Sequence, residues 1–314
     1  LTESIDLTAG DIKTFNIQSG SDVNLILDDN VTITCESNAF LVNNGSLKLS
    51  GNGKIIGTSK QTKGVISVSG SDAIVTIDGI TIDVTTEGKD SNYAYGIYSS
   101  NGSTVNFKSG VIKTAFGSCI STNNTTGGGN INVSGGELYS DGSYAIYNPA
   151  YGIINITGGK VQGINARMGE INVSNNAEII ATTITSETYD DIGNNISTSG
   201  CIWFGDTVAL VAGTYTDDKG VDIKLSISDN AKVNSEFRSA IGIYMVDTKT
   251  KASVDVNVSN GNNVTTSDAE FSAIKVYDHD YINAAAVAAG KTYSPVVTSD
   301  VTVTVDGSVI YPEQ

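Results

Sequence analysis

Apolar and polar residues alternate strictly along short stretches of this chain, and the stretches repeat. Between Asn130 and Ala181 one phrase recurs as NINVSGGELYS, GIINITGGKVQG and EINVSNNAEIIA. Ile131 and Val133 return as Ile154 and Ile156, and again as Ile171 and Val173. Alternation of period two sends successive side chains to opposite faces of a strand, so each stretch predicts a strand with one face buried. The phrases are broken by Gly135-Gly136, Gly158-Gly159 and Asn175-Asn176. Gly and Asn enter positive φ at least cost, so these pairs predict sharp corners. A strand-corner-strand unit of ~20 residues cannot bury its own apolar face and must stack on copies of itself.

The same grammar runs through most of the chain. Residues 1–30, with Ile5, Leu7, Ile12, Phe15 and Ile17 and then Val23, Leu25 and Leu27, read as an N-terminal capping segment, because the end of a stack needs a cover. Residues 31–314 read as the stack itself. Strand-corner units recur at Leu47 to Gly53, Val75 to Gly79, Val105 to Gly110, Leu225 to Asn230, Val254 to Gly261 and Val301 to Gly307. Successive corners lie 17 to 54 residues apart, so insertions are expected at 182–200 and 284–297.

A second strand family lies between the corners: Gly96-Ile97-Tyr98, Cys119-Ile120-Ser121, Ala145-Ile146-Tyr147, Gly163-Ile164-Asn165, Cys201-Ile202-Trp203, Gly242-Ile243-Tyr244 and Lys275-Val276-Tyr277. Coils built from two or three such strands close into an all-β parallel β-helix. About ten rungs at ~4.8 Å make a rod roughly 50 Å long.

That second family carries the most suggestive chemistry. Tyr98, Tyr147, Trp203, Tyr244 and Tyr277 each follow a branched apolar residue. If the branched residue points inward, the aromatic points outward. Flat rings on neighbouring rungs suit sugar C–H faces, with polar tips for hydrogen bonds. A subunit interface, or a stripe covered by the insertions, would use the same residues. The line is broken at Ser121 and Asn165.

Charge narrows the function classes. The chain has 34 acidic and 18 basic residues, a net charge of −16, which speaks against nucleic acid and anionic membrane as partners. The longest apolar run, Ala284 to Ala289, is far too short to span a bilayer. No charged n-region or apolar h-region opens the chain at Leu1, which reads as a mature or trimmed form. Cys35, Cys119 and Cys201 are odd in number, widely spaced and without metal-site spacing, so they are expected as small buried residues.

Catalytic equipment is sparse. Asp190-Asp191, Asp217-Asp218 and Asp278-His279-Asp280 read first as solvated loop acids. Glycoside hydrolysis needs two carboxylates facing one bond, and neighbours on a strand point to opposite faces. His279 is the only histidine, and Asp278 and Asp280 lack an EF-hand pattern, so neither a cofactor nor a metal is expected. The sequons at Asn132, Asn155, Asn172 and Asn257 follow from the apolar-Asn-apolar-Ser/Thr strand phrase itself, and stacked asparagines there can hydrogen-bond along the ladder.

With these repeats in view, the chain resembles the right-handed parallel β-helix group that includes pectate lyase-like proteins, phage tailspikes and fibres, and bacterial surface adhesins. The resemblance spans about residues 20 to 310 and implies a right-handed coil. The Arg/Lys site of pectate lyases is not found, since Arg167 and Arg238 are the only arginines, and polygalacturonase motifs are missing. The expectation is therefore a non-catalytic, extracellular β-helix at a virion or bacterial cell surface. It would display and attach to a host glycan or protein receptor, with a homotrimer among the expected assemblies. The rival is a tailspike-type polysaccharide hydrolase or lyase.

Overall fold

The computed structural model describes residues 1–9, 11–57, 64–84, 94–122, 129–142, 144–149, 151–166, 169–181, 199–204, 222–236, 238–244, 253–277 and 300–312. Strand residues 199–201, 203–204, 222–223, 244 and 277 are described by backbone alone. These parts form a parallel β-helix with three faces. Among the described residues a single 3-10 turn, Gly261–Asn263, is the only helical element.

The first face begins with Asp22–Leu27 and Ser46–Gly51 and continues, parallel and in register, to Ser253–Val258 and Asp300–Val305. The second face starts from Ile5–Asp6 and Thr32–Cys35 and reaches Val264–Thr266. The third face is a sheet of ten parallel strands from Phe15–Ile17 to Ile274–Tyr277. The segment 1–30 thus supplies the outermost strand of every face, and its Ile5, Phe15 and Val23 pack against the core.

Mid-stack, one strand serves two faces. Ile74–Val84, Thr104–Thr114, Asn130–Ser140 and Ile153–Gln162 each run along the first face, bend, and continue on the second. The bends fall at Gly79, Gly110, Gly136 and Gly159, where φ is 108°, 101°, 74° and 81°. Positive φ alone would admit Asn, but the stack is tighter than that. A Cβ on Gly110 would lie 2.2 Å from the Ile80 carbonyl oxygen, and one on Gly136 would lie 2.5 Å from that of Gly110. Later corners use Asn175 (φ 55°) and Asp229 (φ 58°). There the Asp229 carboxylate accepts a hydrogen bond from the Asn175 backbone N–H one rung earlier, at 3.1 Å.

The last pair, Asp306-Gly307, departs from the expected corner. Both residues have positive φ, 50° and 77°. One positive φ bends a strand, whereas two in succession make a two-residue hairpin turn. Ser308–Tyr311 accordingly folds back antiparallel on Asp300–Val305.

Alternation fills the interior with register-matched columns. On the third face Ile66, Ile97, Ile120, Ile146, Ile164, Ile202, Ile241 and Ile274 stack rung on rung. All but Ile274 are fully buried. Each such side chain contributes roughly 1.5–3 kcal/mol. At the N-terminal end the column closes with Phe40 and Phe15, whose rings stack at 5.4 Å. Cys35 and Cys119 are buried and unbridged, as the sequence implied. Cys201 lies in the strand Ser199–Phe204 with its side chain outside the described set. So do the expected insertions, except for Ser199 and Gly200, which begin that strand.

Candidate functional site

The outward side of each face is a set of lines, one residue per rung, and the three faces differ in what they display. On the first face Asn106, Asn132, Asn155 and Asn172 share one register line. Their side-chain amides form the ladder that the strand phrase implied. Asn132, Asn155 and Asn172 each donate from Nδ2 to the Oδ1 of the preceding asparagine, at 3.0, 2.9 and 3.0 Å. Glu170 Oε1 accepts the second N–H of Asn172 at 2.9 Å. These sequon amides are thus engaged with one another.

The second face displays charge. Glu137, Lys160, Glu178 and Lys232 alternate in sign along one line. On the same face Lys54 Nζ pairs with Asp83 Oδ2 at 2.7 Å, and Lys113 Nζ lies 5.7 Å from the Tyr139 ring centroid. The Tyr139 hydroxyl titrates above its usual value, chiefly through its hydrogen bond to Asp141. Asp83 and Asp141 are thus engaged by neighbours on this face. Among the described residues no group of three or more His, Cys, Asp or Glu side chains is placed to hold a metal ion. The acidic pairs at 190–191, 217–218 and 278–280 lie outside the described residues.

The third face holds the aromatic line. Register runs Asn16, Leu41, Ser67, Tyr98, Ser121, Tyr147, Asn165, Trp203, Gly242 and Lys275. Tyr98, Tyr147 and Trp203 therefore stand on one line, at every second rung. Tyr244 and Tyr277 do not join it. They pair with each other two residues further along their strands, because Trp203 stands opposite Gly242 and Ile202 opposite Ile241. Two residues is one side-chain place on the same face, so alternation alone cannot separate the two lines.

Tyr98 is half-buried, and burial raises its hydroxyl pKa above the usual value. Its ring stacks on that of Tyr95, with centroids 6.0 Å apart and planes 19° apart. Tyr95 and Tyr144 are themselves buried, and they precede Tyr98 and Tyr147 by three residues in the matching phrases Tyr95-Gly-Ile-Tyr98 and Tyr144-Ala-Ile-Tyr147. That repeated Tyr-x-Ile-Tyr was the signal for these buried rings. On the intervening rung the corresponding residues are Ser118 and Ser121, both buried. Asn165 completes the alternation, half-buried, with its Oδ1 inaccessible and without a hydrogen bond.

The chain matches no family model, no curated protein and no solved structure.

Proposed function

We propose that this chain is a non-catalytic, extracellular attachment rod, a right-handed pectate lyase-like β-helix. It belongs to a phage virion fibre or spike, or to a bacterial surface adhesin, and it displays a binding face to a host glycan or protein receptor. The observation that carries this reading is the third-face line, which sets Tyr98, Tyr147 and Trp203 on one register at alternate rungs. The Tyr98 and Tyr147 side chains, carried on a packed ladder, lose little entropy on binding, which favours recognition over chemistry. The engagement of Asp83 with Lys54, and of Asp78 with Lys48 at 3.5 Å, supports the same view, since these acids serve the ladder.

The test is to replace Tyr98 and Tyr147 by Ala and follow binding to host cells and to polysaccharides, cleavage of those polysaccharides, and solution mass by light scattering. Lost binding with unchanged mass supports attachment. Loss of an oligomer instead makes the line a subunit contact. A stable trimer in the parent chain favours the virion setting, and a 32.6 kDa monomer favours the adhesin. Polysaccharide cleavage by the parent chain overturns the non-catalytic reading.

A further inference from the structure

We infer that the third face takes an uncharged, linear glycan lying along the rod axis, with alternate sugars stacked on Tyr98 and Tyr147. This rests on the attachment reading and adds to it the ligand's charge, direction and period.

The direction and period come from register. Tyr98 and Tyr147 are separated by the single rung that carries Ser121. Two rung steps amount to ~9.6 Å at the usual strand spacing. In an extended, equatorially linked polysaccharide each sugar is turned over relative to the last, so the same face recurs every second residue. Rings at alternate rungs match that repeat, and the fully buried Ser121 on the rung between them puts no projecting side chain under the intervening sugar. Asn165 and then Trp203 continue the alternation by register on the next two rungs, extending the line to ~19 Å from Tyr98. The alternation that interrupts the aromatic line in the sequence is, on this view, its period.

The charge comes from comparing the three faces. From Asn16 to Gly242 the third-face line contains no ionisable carboxylate or basic side chain. The second face alternates Glu137, Lys160, Glu178 and Lys232, and the first face sets Glu170, Lys224 and Asp255 on one line. A net charge of −16 adds long-range repulsion against sialylated, sulfated or uronate-rich polymers. An anionic glycan would find no cation on this line before Lys275, two rungs past Trp203, and a neutral one needs none. The Tyr95 ring stacked on Tyr98 at 6.0 Å holds the first platform in place before a sugar arrives.

The test uses the whole chain with neutral cello- and manno-oligosaccharides of increasing length, the parent polysaccharides, and carboxymethylated forms of the same polymers, followed by titration calorimetry. The expected result is binding to a neutral polymer that changes less than about twofold between low and physiological salt, and that carboxymethylation weakens. Affinity should climb with oligosaccharide length until the chain spans the line from Tyr98, and then level off. Tyr147→Ala should weaken binding about tenfold, equivalent to ~1.4 kcal/mol, while Tyr147→Phe, which keeps the ring, should bind as the parent does. If the alanine variant fails to fold, the length and charge series on the parent chain decide the matter alone. Tighter, salt-sensitive binding to the carboxymethylated polymers overturns the inference and leaves attachment standing. So does equal affinity for a single sugar and a long chain, or binding only to a protein receptor. No binding to any glycan or to host cells overturns both.

Discussion

Asn155 donates from Nδ2 to Asn132 Oδ1 at 2.9 Å, joining two rungs through side chains placed 23 residues apart in the chain. Asn155 also accepts from Asn172 at 3.0 Å, so its amide acts in both directions. Asn155→Ala removes a donor and an acceptor and should cost ~1–2 kcal/mol in urea unfolding. Asn155→Asp is more informative. Its carboxylate cannot donate and would face the Asn132 carbonyl oxygen. The folded state then disfavours the ionised form, which raises the new group's pKa, so the variant's deficit against the parent should grow as pH rises through the carboxylate range near ~4. A deficit independent of pH would mean that the ladder contributes nothing beyond packing.

The corners predict a sharp contrast between positions that look alike in sequence. At Gly110, with φ 101°, an added Cβ would lie 2.2 Å from the Ile80 carbonyl oxygen. Gly110→Ala should lose at least about 1–3 kcal/mol from backbone strain, with the steric overlap added to it. Asn175, with φ 55°, already carries a side chain, and Asn175→Gly keeps the backbone N–H that donates to Asp229. Its cost should stay below about 1 kcal/mol. Thermal unfolding of the two variants checks the ordering, and equal losses would show that the close stacking of glycine corners is unimportant.

These corners also mark what could be read from the sequence. Period-two alternation and the Gly or Asn pairs located the rungs, the corner at Gly79 and the amide ladder from Asn132 to Asn172, because each is a local rule repeated in phase. The aromatic line was legible for Tyr98, Tyr147 and Trp203 but not for Tyr244 and Tyr277. Alternation assigns a face, whereas the place along that face depends on which backbone groups pair across the rung. Ile202 pairs with Ile241, and the apolar Ile241 and Ile243 offered two equivalent choices. Asp306-Gly307 failed for a related reason. The same residue types bend a strand with one positive φ and reverse it with two.

The ion pair of Lys54 and Asp83 should contribute modestly. Its N···O distance is 2.7 Å, the side chains are 38% and 21% exposed, and the second Asp83 oxygen, Oδ1, is buried without a partner. Removing Lys54 alone leaves a half-buried carboxylate with less compensation. Lys54→Met should therefore cost more than the pair itself is worth, and Asp83→Asn should recover part of the loss. A double-mutant cycle should return a coupling of about 1 kcal/mol or less, falling as salt is added. Coupling of several kcal/mol, unaffected by salt, would overturn this description.

Cys119 offers a pH test of the core. Its sulfur is fully buried and lies 3.1 Å from the carbonyl oxygens of both Ile112 and Tyr139, placed to donate to either. Burial pushes its thiol pKa from 9.0 up to about 12, against the lowering effect of its hydrogen bonds. The folded state therefore holds the proton over a range where the unfolded chain has released it. With more protons bound when folded, stability falls as pH rises from 9.0 toward about 12, and this contribution is intact below 9.0. Other groups titrate there too, so the quantity to measure is the difference between the parent chain and Cys119→Ala in urea unfolding between pH 7 and pH 11. The parent should lose stability more steeply above about pH 9, and its thiol should react with alkylating reagents only as fast as the chain opens. Parallel pH profiles, or rapid alkylation in the folded state, would place Cys119 nearer to solvent than the stacked rungs allow.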